Sequence, residues 1–242
     1  MAIPVSKNQE ITLEISGLGS DGQGIGRVEG YALFVAGALP GERVRARVIK
    51  TTASYGVGRL MAVLLPSTDR TVPECPAYGR CGGCSLQHMS YAAQLAFKER
   101  QVRDALTRIG GFAEPPVRPI LGAAEPWRYR NKAAFPAIAG KPTGFGMFAP
   151  RSHRIVHLED CLLQNKADTG AMQAVSQWAW ECGLTGYDES SGQGVLRHLM
   201  TRSTAAGEVM VVLVTTGPLP KPARLVDLLQ KNLPGFVSLV HN

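Results

Sequence analysis

No apolar run in this chain approaches the roughly 20 residues needed to cross a bilayer. The longest, VMVVLV at 209–214, has the length of a buried strand, so a membrane span is excluded. The opening MAIPVSKNQE lacks the basic start, apolar core and small-residue cleavage site of a secretory signal, and the expected location is cytoplasmic. Charged residues make up only 19% of the 242, and acids are the scarcer sign: 26 Lys and Arg stand against 19 Asp and Glu. The resulting charge of +7, with a pI near 9.3, points to an anionic partner, RNA being the commonest polyanion for a basic soluble protein. The five histidines, at 88, 153, 157, 198 and 241, are scattered and miss zinc-protease spacing. Neither DGQGIGRVEG nor SSGQGVLRHL reads as strand, glycine loop and long helix, so neither supports a dinucleotide or cofactor site.

Apolar residues, at 45%, are enough for one large or two small packed domains. Residues 8–66 read as an all-β unit: Ile11, Leu13 and Ile15 alternate, and three further apolar runs follow between Gly-rich turns, which predicts five short strands in a small barrel. Arg43, Arg45 and Arg47 fall at every second position, so a strand projects them from one face with Val44, Ala46 and Val48 inward. That face suits a phosphate backbone, or is an ordinary solvated strand face. Residues 66–88 hold too many Pro, Gly and Cys for a helix. Beyond them, Ser90 caps a helix over 91–109 with Leu95, Val102, Leu106 and Ile109 on one stripe and Gly110 and Gly111 as its stop.

From about 117 the pattern turns mixed. Strands are expected over 129–138, 143–148, 153–158, 196–203 and 208–215, helices over 165–182 and 221–231, and a last strand in FVSLVHN. Arg128, Arg130 and Lys132 alternate with Trp127, Tyr129 and Asn131, a mixture of cations and aromatics suited to unpaired RNA if they share a strand face. Between 97 and 154 eleven Lys or Arg face four acids, an excess equal to the net charge of the whole chain, so the basic character is local.

Five cysteines is an odd number, and three of them, Cys75, Cys81 and Cys84, form a C-x5-C-x2-C array that favours metal ligation over disulfides. A fourth ligand is required, and Cys161 is a better candidate than Cys182, which sits in a helical run. The spacing alone leaves zinc and an iron–sulfur cluster equally open. Gly82 and Gly83 give the loop room to wrap closely.

The string PECPAYGRCGGCSLQHMSYAAQLAFKERQV resembles the iron–sulfur loop and following helix of the RNA uracil-5 methyltransferase family, and DGQGIGRVEGYALFVAGALPGERVRARV resembles its TRAM domain. WRYRNKAAFP, HRIVHLEDCLLQ and GVLRHLMTR are similar to motifs of that family's central domain. The resemblance implies that Cys75, Cys81, Cys84 and Cys161 hold a [4Fe-4S] cluster tying the loop to the central domain, that barrel and central domain grip RNA, and that Arg197 and His198 lie near the RNA path. It further implies an α+β fold in three parts: a TRAM/OB-like barrel over 1–66, a cysteine loop and helix over 67–116, and an incomplete central α+β domain over 117–242.

The family's S-adenosylmethionine-binding domain, with its cysteine nucleophile and general base, is not visible in the sequence. The expectation is therefore a chain missing its catalytic domain and inactive alone, with no catalytic or cofactor-binding residue assigned. The alternative is a non-catalytic RNA-binding module stapled by a four-cysteine zinc or iron–sulfur site. Members bearing both a TRAM domain and a cluster act on large-subunit ribosomal RNA, which makes 23S rRNA the expected partner, with no DNA or membrane and a monomeric state.

Overall fold

A computed structural model of the chain describes residues 3–140 and 143–242; Lys141, counted in the basic segment, lies outside the described residues. The chain divides into two compact units. The first takes the chain up to Glu74 together with Cys84–Gly122, and the second takes Cys75–Gly83 together with Ala123–Asn242.

In the first unit, β1 (Glu10–Leu18), β2 (Gly24–Val28), β3 (Tyr31–Ala36), β4 (Arg43–Thr51) and β5 (Tyr55–Leu65) close into a barrel in the order β1-β2-β3-β5-β4. Closure leaves no open sheet edge. The alternation read from the sequence is the cause: Val44, Ala46 and Val48 are fully buried and meet Leu13, Ile15, Leu33 and Val35 in one core, while every second residue of β4 faces out. Gly26 of β2 is required by close approach, because a Cβ there would stand 2.5 Å from the Leu13 side chain and 2.7 Å from the Glu14 carbonyl.

The same unit holds α1 (Tyr91–Arg108), whose N-cap Ser90 accepts a hydrogen bond from the Ala93 N–H. The expected apolar stripe is not a core stripe: no α1 residue is buried, and Val102 and Ile109 are 53% and 88% exposed. The helix is held by other means. Arg103 pairs with Glu99, Glu99 also accepts from the Ile120 N–H, and the last turn closes on Gly110 and a left-handed Gly111.

The second unit is α+β. A sheet in the order β11-β10-β9-β6 is built from β6 (Lys132–Pro136), β9 (Leu196–Ser203), β10 (Val209–Thr215) and β11 (Phe236–His241), with β11 parallel to β10. A separate ribbon pairs β7 (Gly146–Phe148) with β8 (Ile155–His157). Helices α2 (Ala167–Glu181) and α3 (Pro222–Asn232) bury Val175, Trp178, Leu225 and Leu229 in one cluster with Phe135, Leu199, Val211 and Leu213 of the sheet. Trp178 satisfies its indole N–H on the Pro220 carbonyl at 3.0 Å.

The strand expected from 129 begins only at Lys132. Residues 128–130 instead run beside the Cys161 segment, with the N–H groups of Arg128 and Arg130 donating to the carbonyls of Leu162 and Leu163.

Candidate RNA interface and cysteine patch

In the second unit, β6 and β9 present two faces. Ala133, Phe135, Leu199 and Thr201 point into the core, and the partners Lys132–Arg202, Ala134–Met200 and Pro136–His198 share the other side. Lys132 and Arg202 lie directly opposite each other, both exposed, next to exposed Arg130 and a Tyr129 that is 61% exposed. The aromatic and cations of WRYRNK are thus on the surface. Arg202 was missed in the sequence although it lies four residues past His198, at the even spacing that keeps a strand residue on one face.

Arg128 departs from this group. It does not share a strand face with Arg130 and Lys132, because its φ of 57° places it in the left-handed region and turns its side chain elsewhere. Both carboxylate oxygens of Asp160 accept from its guanidinium, as does the Cys161 carbonyl at 2.9 Å. The hydrogen bonds to Asp160 raise the Arg128 pKa and hold the Asp160 carboxyl below its usual range, so both remain charged. The physical role on view is a clamp on the Cys161 segment.

Three of the four array cysteines belong to this unit. Cys75, Cys81 and Cys161 pack against one apolar patch of Ala77, Ala149, Val156 and Leu158. Burial pushes the Cys161 thiol up, and the nearby sulfurs of Cys75 and Cys81 push it further. The Gly83 N–H donates to the Cys81 sulfur at 3.3 Å, and the Gly82 N–H to the Phe148 carbonyl at 2.9 Å, which fixes the loop on the β7–β8 ribbon. Cys84 opens the second segment of the barrel unit.

None of the five cysteines is in a disulfide. Among the described residues no group of three or more His, Cys, Asp or Glu side chains is arranged to hold a metal ion. The donor chemistry, three soft thiols on an apolar patch with a backbone N–H aimed at sulfur, nevertheless fits a thiolate-bound centre. Cys182 caps the C-terminal end of α2 and, half-buried, packs against the main core.

On the barrel, Arg43, Arg45 and Arg47 all project outward, yet they meet acids across the β1–β4 ladder. Arg43 lies opposite Glu14, and Arg47 lies opposite Glu10, to which it is bonded at 2.6 Å, with Arg45 at 3.9 Å from the same carboxylate. The row is half neutralised. Arg59 of β5 lies across from Arg47 on the other side and restores part of the positive charge.

Arg197 and His198 line a cleft of about 270 Å³ in the second unit, with Tyr187, Phe148 and His153. The Arg197 guanidinium sits 4.7 Å over the Tyr187 ring and donates to Glu189 at 3.2 Å. Burial, with the charge of Arg197, lowers the His198 pKa, so the ring is neutral at physiological pH. His88, just past the cysteine loop in sequence, is buried beside Arg70 and Glu42 in the barrel unit, and burial lowers its pKa to about 4.

Residues 4–61 match the family model of the TRAM domain. Over 99% of its length the chain is 44% identical to an uncharacterized RNA methyltransferase of Halalkalibacterium halodurans and 41% identical to one of Clostridium tetani. It spans about half of each, 53%. Among solved structures, the tRNA (uracil-54, C5)-methyltransferase of Pyrococcus abyssi, in complex with S-adenosyl-L-homocysteine, superposes with a TM-score of 0.66 at 25% identity, over 88% of this chain and 48% of that one.

These likenesses give no support to the expectation of a chain without its catalytic domain and inactive alone, which is withdrawn; with about half of each relative spanned, they assign this chain no activity either. Proteins named as RNA methyltransferases align along nearly all of it, and the structural neighbour is a methyltransferase with S-adenosyl-L-homocysteine bound. What the findings establish for this chain is an N-terminal TRAM domain and close homology to RNA methyltransferases.

Proposed function

We propose that the chain serves S-adenosylmethionine-dependent methylation of uracil C5 in RNA, and that each of its units contributes to the grip on that RNA. The observation that carries this reading is the likeness of 88% of the chain to the Pyrococcus abyssi uracil-C5 methyltransferase. In the second unit the contacts are Arg130, Lys132, Arg197 and His198, joined by Arg202. In the barrel they are Arg43, Arg45 and Arg47, joined by Arg59. The exposed cations among these, Arg43, Arg45, Arg47, Arg59, Arg130, Lys132 and Arg202, position phosphates, and Tyr129 offers a stacking surface for an unpaired base. Arg128 enters this reading through the segment it clamps.

Cys75, Cys81, Cys84 and Cys161 are the residues that would hold a [4Fe-4S] cluster. When bound, such a cluster supplies four iron–thiolate bonds and with them a cross-link between distant parts of the chain. Methyl transfer to uracil C5 requires no net electron transfer, so the role assigned to the cysteines is architectural.

Large-subunit ribosomal RNA is the preferred substrate, on the resemblance that joins a TRAM domain to a cysteine array. The neighbour from Pyrococcus abyssi supports a second reading, tRNA. Deleting the gene in its host and mapping 5-methyluridine across the RNA pool tests both. Loss of one 5-methyluridine from ribosomal RNA is expected, loss from tRNA selects the second reading, and an unchanged map overturns the proposal.

A further inference from the structure

The cleft lined by Arg197 and His198 has features that a phosphate site would not have. Glu189 accepts from its one guanidinium at 3.2 Å, Asp188 also lines it, and the hydroxyl and N–H of Ser190 hold the Asp188 carboxyl below its usual range. Two carboxylates lining a cleft with one partly shared cation disfavour an anion.

The apolar walls point to a flat ring instead. Phe148 and His153 stand edge to face with ring centres 6.0 Å apart, and Tyr187 lies under the Arg197 guanidinium. The volume of about 270 Å³ lies below the roughly 300 Å³ at which pockets for drug-sized molecules begin, enough for one planar ring system and too little for a whole nucleotide cofactor. No cysteine lines it among the described residues, so it holds a ring without supplying a thiol nucleophile.

Aromatic faces and guanidinium planes are the surfaces on which single-stranded RNA stacks its bases, and carboxylates accept from the N–H groups on a base edge. We propose that this cleft receives one unstacked base of the bound RNA, stacked between the Phe148–His153 and Tyr187–Arg197 walls with Asp188 and Glu189 as hydrogen-bond acceptors. The inference rests on the RNA-binding reading above and adds a base contact to its phosphate contacts.

The test uses the whole chain and a short single-stranded RNA of mixed sequence. One 2-aminopurine is moved along it, and a parallel series carries one abasic site. At one position, binding is expected to quench the 2-aminopurine, and the abasic site there is expected to weaken binding about tenfold. Tyr187→Leu and Arg197→Gln should each remove the quench, weaken the intact RNA about tenfold, and leave the affinity for that abasic RNA unchanged. His153→Ala, at an exposed position where folding is not at stake, should behave in the same way with a smaller loss.

Equal losses for intact and abasic RNA, or a quench that survives all three substitutions, overturn the base site while leaving RNA binding in place. No binding of any RNA by the unaltered chain overturns the reading beneath it.

Discussion

Glu42 carries a charge at a position that is 1% exposed, and the barrel unit is arranged around keeping it there. Burial pushes its carboxyl up, but the Arg70 guanidinium and the N–H groups of Leu39 and Ser67 together outweigh that and hold it below the usual carboxylate range. Because the folded pKa is depressed, the pair stabilises the fold above the unfolded carboxylate pKa and ceases to do so as pH falls through the folded one. Arg70→Met would leave a buried carboxylate without its cation. The expected cost is about 3–5 kcal/mol at neutral pH, shrinking as acid protonates Glu42. Urea unfolding of the variant and parent at neutral and at acid pH reads this directly; a pH-independent difference would mean the pair is not the cause.

At the cysteine patch, the corresponding residue-scale expectation is compositional. Anaerobically purified chain should contain iron and sulfide in equal amounts, and Cys161→Ser should lose both. Zinc in place of iron from an iron-replete preparation would remove the cluster assignment while leaving the thiolate site intact.

Among the elements, the barrel was the most legible, because a half-buried strand writes its burial into every second residue and β4 does so from Arg43 to Ile49. The glycines within those strands carried a finer message that composition alone does not disclose. Gly26→Ala forces a Cβ against Leu13 and the Glu14 carbonyl, whereas Gly17→Ala, in the neighbouring strand β1, meets nothing within 4 Å. The first should cost about 1–3 kcal/mol and the second less than about 0.5, measured as shifts in the denaturation midpoint.

Helix α1 was located correctly from Ser90 to the glycine pair, since caps are local signals, yet its apolar stripe did not foretell burial. Periodicity shows which residues share a side of a helix and leaves open whether anything packs there. Arg128 was misplaced for a related reason: alternation assigns faces only while the backbone stays extended, and one left-handed residue breaks the pattern. The cleft around Arg197 was the least legible, since Phe148, His153, Tyr187 and Arg197 are brought together by tertiary packing and form no local motif.

For the whole molecule, the charge count points to a polyanion partner, but the structure redistributes where that charge is usable. Arg45 and Arg47 of the barrel share Glu10 and Arg43 lies opposite Glu14, while Arg130, Lys132 and Arg202 lie on exposed β-structure of the second unit with no ion pair among the described residues. Ion pairs on an exposed face must be exchanged for phosphate contacts at little net gain, whereas unpaired cations release counterions from the RNA outright. The second unit should therefore account for most of the salt dependence of RNA binding. Affinity for single-stranded RNA is expected to fall linearly on a double-logarithmic plot against salt. Lys132→Gln and Arg202→Gln should each reduce the slope by about 0.7, and Arg47→Gln should change it less. If Arg47→Gln flattens the plot as much as Lys132→Gln, the barrel holds the phosphates despite its acids, and a plot flat for the unaltered chain would exclude an electrostatic grip by either unit.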